Sequence, residues 1–327
     1  MAKRSCSKVD CHAPIDLCPV LGSEEYPKCP FFEKASAAEV PQKGANNSAT
    51  AKTIPWTGEW LRPEQIELLA HRGTPKIIGL VGSSGAGKTT YLAMLYCLMF
   101  NGNHIESWDF AGSYTLNGWE LQAKTLHVQE DGTVRNPDAT PSDEDFHSLY
   151  HLALRNNGFL HDILFADSSG EVFSKWADNV NDPAAENARW IYENAQAFLL
   201  FVDCEAVIEQ LGSANLEIVQ LAGQLKKDLG DRPVVIVWSK ADLGDKMPKN
   251  IVEVIKRNLS EIFPGAPSFE ISNYSKSVSD LLCHVNNVGA TKAVLDQLVT
   301  PKPLHIAPAS ISTGDLFFSY RGSHGSK

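Results

Sequence analysis

The apolar residues of this chain follow two alternating patterns beyond residue 75. Short continuous apolar runs are typical of strands buried on both faces, and apolar residues spaced three or four apart are typical of helices that bury one side. The runs that predict strands are 77–81, 160–166, 197–202, 234–238 and 268–271. Because helical stretches separate most of these runs, the sequence predicts an α/β fold with helices on both faces of a mainly parallel sheet.

The predicted helices carry their own boundary signals. Asp182 and Pro183 suit the N-cap and the first turn of the helix 182–195. Gly230 suits the end of a different helix, 218–229. Pro63 likewise suits the first turn of a short helix that leads into the first strand. The helical stretches are 62–72, 91–100, 182–195, 218–229, 251–262 and 278–299.

A hairpin signal, Asn156-Asn157-Gly158, lies between a further apolar run, 148–154, and the run 160–166. Asn-Gly between two strand-like runs favours a tight hairpin because both residues tolerate positive φ. The sequence therefore predicts one antiparallel strand in the sheet. The stretch 101–145 before the hairpin shows no persistent period, and such a long irregular insert in a compact domain is more often functional than idle.

The charge and hydropathy of the chain exclude two classes of partner. The 327 residues carry a net charge of −10 and the pI is about 5.5, so we expect no nucleic-acid partner. We also expect no membrane partner, because no apolar run approaches the roughly 18 to 20 residues that cross a bilayer. No signal-peptide core follows the first residues, so the expected location is the cytoplasm.

Four of the seven cysteines lie near the start of the chain: Cys6, Cys11, Cys18 and Cys29. A loop-rich segment this short has too little apolar area to fold alone, and four thiolates would hold Zn²⁺ in a tetrahedron. His12 is an alternative ligand. The spacings are irregular and contain no C-x-x-C pair, so a disordered or redox-active tail is the other interpretation.

The stretch from Gly82 to Thr90 is the strongest indication of chemistry. It fits the phosphate-binding pattern G-x-x-x-x-G-K-[ST] and lies between a predicted strand and a predicted helix. Glycines let the backbone point successive N–H groups at phosphate oxygens, and a helix N-terminus adds partial positive charge. We expect Lys88 to reach the β- and γ-phosphates and Thr89 to bind Mg²⁺. The predicted phosphate contacts are Gly82, Ser83, Ser84, Gly85, Ala86, Gly87, Lys88, Thr89 and Thr90.

The architecture predicted from these patterns is a P-loop NTPase three-layer sandwich over residues 56–300, with a mainly parallel sheet and one antiparallel strand. A small cysteine-rich module, 1–34, is expected before it. The intervening residues 35–55 contain almost no large apolar side chains, which is typical of a flexible linker. Residues 301–327 are expected to form a C-terminal tail.

A second nucleotide signal, Asp167-Ser168-Ser169-Gly170, follows the apolar run 160–166. Ligands of open α/β sheets bind at the carboxyl ends of strands, so this D-x-x-G lies where a nucleotide site is expected. We expect Asp167 to hold Mg²⁺ through water and the Gly170 N–H to sense the γ-phosphate.

Several catalytic assignments stay open. Glu171 follows the glycine, where its carboxylate would either orient a water molecule or repel the γ-phosphate and slow turnover. For the Mg²⁺-binding threonine of the insert we choose Thr140, with Thr115 and Thr133 as alternatives. The candidates for a cis arginine finger are Arg135 and Arg155.

The stretch Ser239-Lys240-Ala241-Asp242 is similar to the [NT]-K-x-D motif that reads guanine, although Ser239 departs from the usual Asn or Thr. An aspartate accepts hydrogen bonds from the ring N1–H and the exocyclic amine of guanine, and adenine offers neither donor in that arrangement. Asp242 is therefore expected to select GTP, unless the stretch is an ordinary solvated helix start. Ser272 and Asn273 are expected to supply a backbone N–H to the guanine carbonyl.

Together these motifs resemble the translation-factor-related (TRAFAC) class of P-loop GTPases, whose fold carries an antiparallel strand pair ahead of the D-x-x-G loop. The stretches 87–92, 111–118 and 167–173 are similar to the bacterial double-GTPase family of multi-gene GTPase-associated systems. The resemblance covers roughly residues 75–275. It implies binding of GTP and GDP, a role in antiphage defence, and a partner GTPase or effector encoded nearby.

Three functions fit these residues. The leading hypothesis is a cytoplasmic switch that hydrolyses GTP with Mg²⁺, slowly without a partner, and changes the order of 101–145 and 168–182 between states. A P-loop ATPase or kinase with Asp167 as its metal ligand is the second, and the hairpin and Asp242 argue against it. A non-catalytic scaffold that holds nucleotide permanently and recruits partners through the cysteine-rich segment is the third.

Overall fold

The structure is a computed structural model that describes residues 5–6, 32–33, 58–124, 126, 148–273 and 280–300. The chain divides into two compact units, Met1–Ile54 and Pro55–Lys327. In the first unit, strands β1 (Ser5–Cys6) and β2 (Phe32–Glu33) pair antiparallel. The linker, the tail, Cys11, Cys18, Cys29 and His12 lie outside the described residues, so the zinc-binding module stays a prediction.

The second unit is built on a seven-stranded sheet with the order β4-β5-β6-β3-β7-β8-β9. Strand β5 pairs antiparallel with both of its neighbours, and all the other neighbouring pairs are parallel. This confirms the prediction of a mainly parallel sheet with one antiparallel strand. The strands are β3 (Lys76–Val81), β4 (Asp109–Gly112), β5 (Ser148–Asn156), β6 (Phe159–Asp167), β7 (Ala197–Asp203), β8 (Val234–Ser239) and β9 (Ser268–Glu270).

Helices alternate with these strands. Asp182 caps the helical turn before one of them, as predicted, by accepting the Ala184 N–H at 2.9 Å. Short 3₁₀ turns lie at Pro63–Gln65, Pro183–Ala185 and Ala241–Lys246, and a π turn lies at Leu281–Val285. The α-helices are α1 (Glu67–Ala70), α2 (Lys88–Phe100), α3 (Leu116–Lys124), α4 (Gly170–Asp178), α5 (Glu186–Asn194), α6 (Cys204–Gln210), α7 (Gly212–Lys226), α8 (Lys249–Ile262) and α9 (Asn286–Val299).

The core has two apolar clusters on opposite faces of the sheet. Because side chains alternate along a strand, Phe198 and Leu200 of β7 belong to one cluster, and Leu199 and Phe201 belong to the other. The first cluster is completed by α4, α5, α7 and α8, and the second by α2, α3 and α9. The result is the predicted three-layer sandwich, in which both faces of the central strands are covered.

The hairpin forms where Asn-Gly predicted it. Asn157 and Gly158 have φ of 49° and 81°, and they connect β5 to β6, whose ends pair as Asn156 opposite Phe159. Positive φ at both central residues of a two-residue loop is characteristic of a type I′ turn. At the other end of the hairpin Ser148 pairs with Asp167, so the turn and the D-x-x-G stretch lie at opposite ends of these two strands.

The prediction that 101–145 lacks regular structure is wrong for part of its length, because β4 and α3 lie within it. Strand β4 is at the edge of the sheet and three of its four residues are exposed, so it lacks the buried run that marks a central strand. In α3 the buried residues are only Gly118 and Trp119, which gives the helix no apolar stripe. An added Cβ on Gly118 would lie 2.1 Å from the Glu59 carbonyl oxygen, so only glycine fits there.

Candidate nucleotide-binding site

Four neighbouring strands end at the same edge of the sheet. Strand β3 leads into Gly82, and the flanking strands end in Asp167 of β6 and Asp203 of β7, while β8 ends in Ser239. All four strands are parallel, so the polar residues that follow their apolar runs are gathered at one place. This carboxyl end of the strands contains the candidate residues Gly82, Asp167 and Ser239.

The loop between β3 and α2 has a backbone that requires glycine at several positions. Gly85 and Gly87 have φ of 73° and 80°, and Gly87 caps α2. At Gly82 an added Cβ would lie 2.9 Å from the Phe201 Cβ, so the loop runs directly over the end of β7. The following helix begins at Lys88, and its first N–H groups carry the partial positive charge that favours an anion.

Lys88 is folded back onto this loop. Its Nζ donates to the carbonyl oxygens of Gly82 at 3.0 Å and Ser83 at 3.1 Å, and it lies 5.9 Å from the centroid of the Phe173 ring. The side chain is buried, and this desolvation lowers the pKa of Lys88 to about 8 against the opposing charges of Asp167 and Asp203. A phosphate group at the loop would give this buried cation a counter-charge.

Thr89 and Asp167 meet beside the loop. The Thr89 hydroxyl donates to Oδ2 of Asp167 at 2.6 Å. The other carboxylate oxygen, Oδ1, is buried and has no hydrogen-bond partner among the described residues. Burial raises the pKa of Asp167 above its ordinary value, although the Lys88 charge opposes this shift. A hydroxyl beside a carboxylate oxygen that lacks a donor fits Mg²⁺, which takes oxygen ligands.

The D-x-x-G stretch ends on the N-terminus of α4. Ser169 caps this helix by accepting the Glu171 N–H at 3.3 Å. An added Cβ on Gly170 would lie 2.2 Å from the Ser83 carbonyl carbon and 2.2 Å from the Ser84 nitrogen. Gly170 therefore lies against the backbone of the phosphate loop. The Glu171 side chain is exposed on the first turn of α4.

The candidate base motif begins one residue before a left-handed turn. The Ser239 hydroxyl donates to the Val202 carbonyl at 3.3 Å, and an added Cβ on Gly87 would lie 3.6 Å from the Ser239 Cβ. Lys240 has φ of 54°, and its Nζ donates to Asp203 and Glu205 at 2.8 Å each. Burial lowers the pKa of Lys240, but the two carboxylates raise it by more, so this pKa lies above its ordinary value.

Ser272 reaches the base motif through its side chain. Its hydroxyl donates to Oδ1 of Asp242 at 2.9 Å, and the Asp242 side chain is otherwise exposed at the edge of the sheet. Ser272 and Asn273 were predicted to supply a backbone N–H to a base carbonyl, and of these the Ser272 N–H donates to the Leu282 carbonyl at 3.3 Å. The neighbouring Asn273 has a buried side-chain oxygen without a hydrogen-bond partner among the described residues.

Sequence reasoning missed Asp203. This residue is buried, accepts the Glu205 N–H at 2.9 Å and binds Lys240. The signal that identified Asp167, an acidic residue directly after a buried apolar run, also marks Asp203. Both neighbours of β3 therefore end in a buried aspartate.

Other candidates are not brought to this edge. Arg155 pairs with Leu160 near the hairpin turn, seven residues from Asp167 along β6, or about 23 Å at the usual strand rise. An arginine side chain does not span that distance, so Arg155 is wrong as an arginine finger. The Thr115 hydroxyl accepts the His151 N–H at 2.8 Å, a structural role. Thr133, Arg135 and the preferred Thr140 lie outside the described residues.

The described residues contain no group of three or more His, Cys, Asp or Glu side chains that could hold a metal ion by themselves. Within the same part of the chain, no helix is both long enough and apolar enough to cross a membrane.

Comparison with known proteins gives one family match. A model of the Double-GTPase 2 family matches residues 76–299. No curated protein matches the sequence significantly. Among solved structures, one described as nucleolar GTP-binding protein 1 from Plasmodium falciparum is 15% identical with a TM-score of 0.39, and the match covers 68% of this chain and 86% of that chain.

Proposed function

The chain belongs to the Double-GTPase 2 family, a P-loop GTPase family, and from this premise we propose that it is a molecular switch that binds and hydrolyses GTP. The observation that supports this most is the meeting of Thr89 and Asp167, 2.6 Å apart, beside the glycine loop. One is the residue after the loop lysine and the other starts the D-x-x-G stretch. Folding brings these two distant signals together, as a nucleotide site requires.

The phosphate end of the site would bind through three kinds of group. The N–H groups of the loop and of the first turn of α2 would donate to phosphate oxygens, and Lys88 would exchange two carbonyl partners for a charged one. Thr89 and Asp167 would hold Mg²⁺, as is usual in this class of enzyme. Bound Mg²⁺ supplies positive charge that offsets the charge developing on the transferred phosphoryl group.

The switch element in this proposal is the start of α4. Gly170 lies against Ser83 and Ser84, so a γ-phosphate arriving at the loop would meet the N–H at this helix start. Helix α4 is tied to α7 by the Ser174 hydroxyl, which donates to Glu217 at 3.0 Å. A shift of Gly170 on phosphate binding would therefore move the contact between α4 and α7, which is a way to signal nucleotide state.

We propose further that hydrolysis is slow without a partner. The exposed carboxylate of Glu171 would lie near the γ-phosphate, where its charge adds to the charge of the substrate. The cis arginine candidate in the described part of the chain, Arg155, is at the wrong end of its strand. A protein partner, either a second GTPase or an effector, would supply a cation to the γ-phosphate.

The cellular setting rests on the family resemblance. We propose that the chain acts in the cytoplasm, within a bacterial multi-gene defence or signalling system, and that the cysteine-rich start binds Zn²⁺ for partner recruitment. Metal analysis of the full chain and of a Cys11→Ser, Cys18→Ser double variant tests the zinc assignment. Equal zinc in both would contradict it.

Phosphate release under multiple turnover tests the enzymatic proposal. With GTP and Mg²⁺ the wild type is expected to release phosphate slowly but above a Lys88→Ala control, because this variant removes the buried cation of the loop. Equal release by both proteins would favour the non-catalytic scaffold. Equal turnover of ATP and GTP would favour an ATPase.

A further inference from the structure

The carboxylate that faces the base edge is held by a chain of side-chain contacts that leads into the last helix. We propose that Asn287 of α9 is the positioning residue of base recognition: it fixes the backbone of Ser272, and Ser272 in turn fixes Asp242. This inference rests on the proposed function, since it assumes that Asp242 reads guanine. It assigns to a helix remote from the base motif a share in nucleotide specificity.

The first link joins Asp242 to Ser272. The Ser272 hydroxyl donates to Oδ1 of Asp242 at 2.9 Å, and Ser272 is buried whereas Asp242 is exposed. An exposed carboxylate on a 3₁₀ turn has several accessible rotamers, and one fixed hydrogen bond selects among them. The direction in which Asp242 points therefore depends on where Ser272 is placed.

The second link joins Ser272 to Asn287. The side-chain amide of Asn287 donates to the Ser272 carbonyl at 3.1 Å, and the Ser272 N–H donates to the Leu282 carbonyl at 3.3 Å. Both polar backbone groups of Ser272 are thus bound to the same end of α9 and the turn before it. Ser272 lies beyond the end of β9, outside the hydrogen-bond ladder of the sheet, and these bonds hold it in place.

Asn287 also holds the segment that faces Ser272. Its amide nitrogen lies 2.7 Å from the Cys283 carbonyl and 3.4 Å from the Leu282 carbonyl, within the π turn Leu281–Val285. In a π turn such carbonyls lose the backbone N–H donors that they would have in a regular helix, and a side-chain donor can replace these. Asn287 is fully buried, so no water takes over these bonds if the amide is removed.

The geometry requires a donor and not merely a polar side chain. Three carbonyl oxygens surround the Asn287 nitrogen, whereas its own Oδ1 is buried and has no hydrogen-bond partner among the described residues. A buried acceptor left without a donor is costly, and it is retained here beside a nitrogen with three acceptors. The arrangement is that of a clamp that joins the Ser272 backbone to the π turn Leu281–Val285.

The same helix offers a matched control at Thr291, one turn further on. Its hydroxyl is also fully buried, lies 2.5 Å from the Tyr91 hydroxyl of α2, and donates to the Asn287 carbonyl at 3.0 Å. No described contact of this hydroxyl reaches Ser272 or Asp242. Thr291→Val therefore removes a buried hydrogen bond from α9 and leaves the clamp donors in place.

The experiment compares the dissociation constants of GTP and inosine triphosphate, with Mg²⁺, for the full chain and for Asn287→Leu and Thr291→Val. Inosine lacks the exocyclic amine from which Asp242 would accept a hydrogen bond. The ratio of the two dissociation constants therefore depends on how the Asp242 carboxylate is oriented. We expect the GTP preference of Asn287→Leu to fall about tenfold relative to the wild type. Thr291→Val is expected to keep the wild-type ratio, even if both affinities fall.

An unchanged ratio in Asn287→Leu would overturn the inference, because a purely structural role weakens the binding of both nucleotides alike. An equal fall of the ratio in Thr291→Val would also overturn it, because the loss of preference would then not depend on the Asn287 donor. If Asn287→Leu does not fold, Asn287→Ser, which keeps one buried donor, is measured instead. An intermediate ratio is then expected, and a wild-type ratio again contradicts the inference. A wild type that binds no GTP would contradict the proposed function itself, which separates the two failures.

Discussion

At the residue scale, the most consequential group is the buried Lys88 ammonium. Its Nζ donates to the neutral carbonyls of Gly82 and Ser83, and desolvation lowers the pKa of Lys88 to about 8. A bound triphosphate favours the charged form of Lys88, so the pKa of Lys88 is higher in the complex than in the free protein. Binding above pH 8 must therefore take up a proton.

This linkage predicts the pH dependence of GTP affinity. Below pH 8 the lysine is already charged and affinity is steady, whereas above pH 8 the dissociation constant rises by up to about tenfold per pH unit. Calorimetric titrations between pH 7 and 9 measure it. A Lys88→Arg variant, whose guanidinium stays charged, is expected to show a flat profile, and a flat wild-type profile would contradict the assignment.

Gly170 makes a second prediction at this scale. An added Cβ there would lie 2.2 Å from the backbone of Ser83 and Ser84, so Gly170→Ala forces the phosphate loop and α4 apart. We expect the free energy of unfolding of the nucleotide-free protein to fall by about 1–3 kcal/mol.

The control for Gly170→Ala is Gly223→Ala in α7. An added Cβ on Gly223 meets nothing within 4 Å, and alanine in a helix interior is favoured over glycine. This variant is expected to gain about 0.5–1 kcal/mol in urea denaturation. Changes of the same sign and size in the two variants would show that the contact of Gly170 with the loop is unimportant.

At the element scale, one strand residue holds the described stretch 113–119 against the sheet. His151 of β5 is fully buried: its Nδ1 accepts the Tyr114 N–H at 2.9 Å, and its Nε2 donates to Asp162 at 2.9 Å. Its carbonyl accepts from the Ser113 hydroxyl at 2.6 Å and from the Trp119 indole at 3.0 Å. The stretch 111–118, picked out by family resemblance, is thus anchored to β5.

This anchor predicts an acid sensitivity. Burial lowers the pKa of His151 below its ordinary value of 6.5, despite the hydrogen bond to Asp162. Below pH 6.5 the unfolded chain therefore binds the proton more readily than the folded one, and stability falls as the pH falls.

The measurement is the free energy of unfolding at pH 7 and at pH 5.5 for the wild type and for His151→Gln. Glutamine can accept and donate in the same places but does not titrate in this range. We expect the wild type to lose up to about 1.4 kcal/mol more than the variant over this interval. Equal losses would show that His151 does not contribute.

The elements that could be predicted from the sequence are those whose burial is one-sided or complete. The strands 197–203 and 234–239 are continuous apolar runs, and the hairpin is marked by Asn157 and Gly158. Helices α4 and α6 were not predicted, because α4 starts at the D-x-x-G glycine and α6 directly at the end of β7. Neither helix is preceded by a turn that would separate it from the strand before it.

The part of the candidate site that could be predicted lies in local sequence motifs. Local motifs gave Lys88, Asp167 and Asp242, since each belongs to a short pattern with its own spacing. Other contacts in the candidate site, such as Lys240 with Asp203 and Ser272 with Asn287, join elements that are separate in sequence. No spacing rule encodes such pairs, so only the fold shows them.

At the scale of the whole molecule, a chain with a net charge of −10 is proposed to bind an anion. The overall field does not favour a nucleotide, so binding must depend on local groups: the loop N–H groups, the α2 N-terminus and Lys88. Discrimination between nucleotides must then depend on the other end of the site, where Asp242 is proposed to read the base. The two ends follow β3 and β8, two parallel strands of one sheet that are separated by β7.

The most direct test of this account is a calorimetric titration of GTP, ATP and xanthosine triphosphate, with Mg²⁺, into the wild type and Asp242→Asn. The wild type is expected to bind GTP at least about tenfold more tightly than either competitor. In the variant the preference should pass to the xanthosine nucleotide, because an amide donates where the carboxylate accepted. A wild type that gives no heat with GTP, or an order of affinities that Asp242→Asn leaves unchanged, would contradict the central claim.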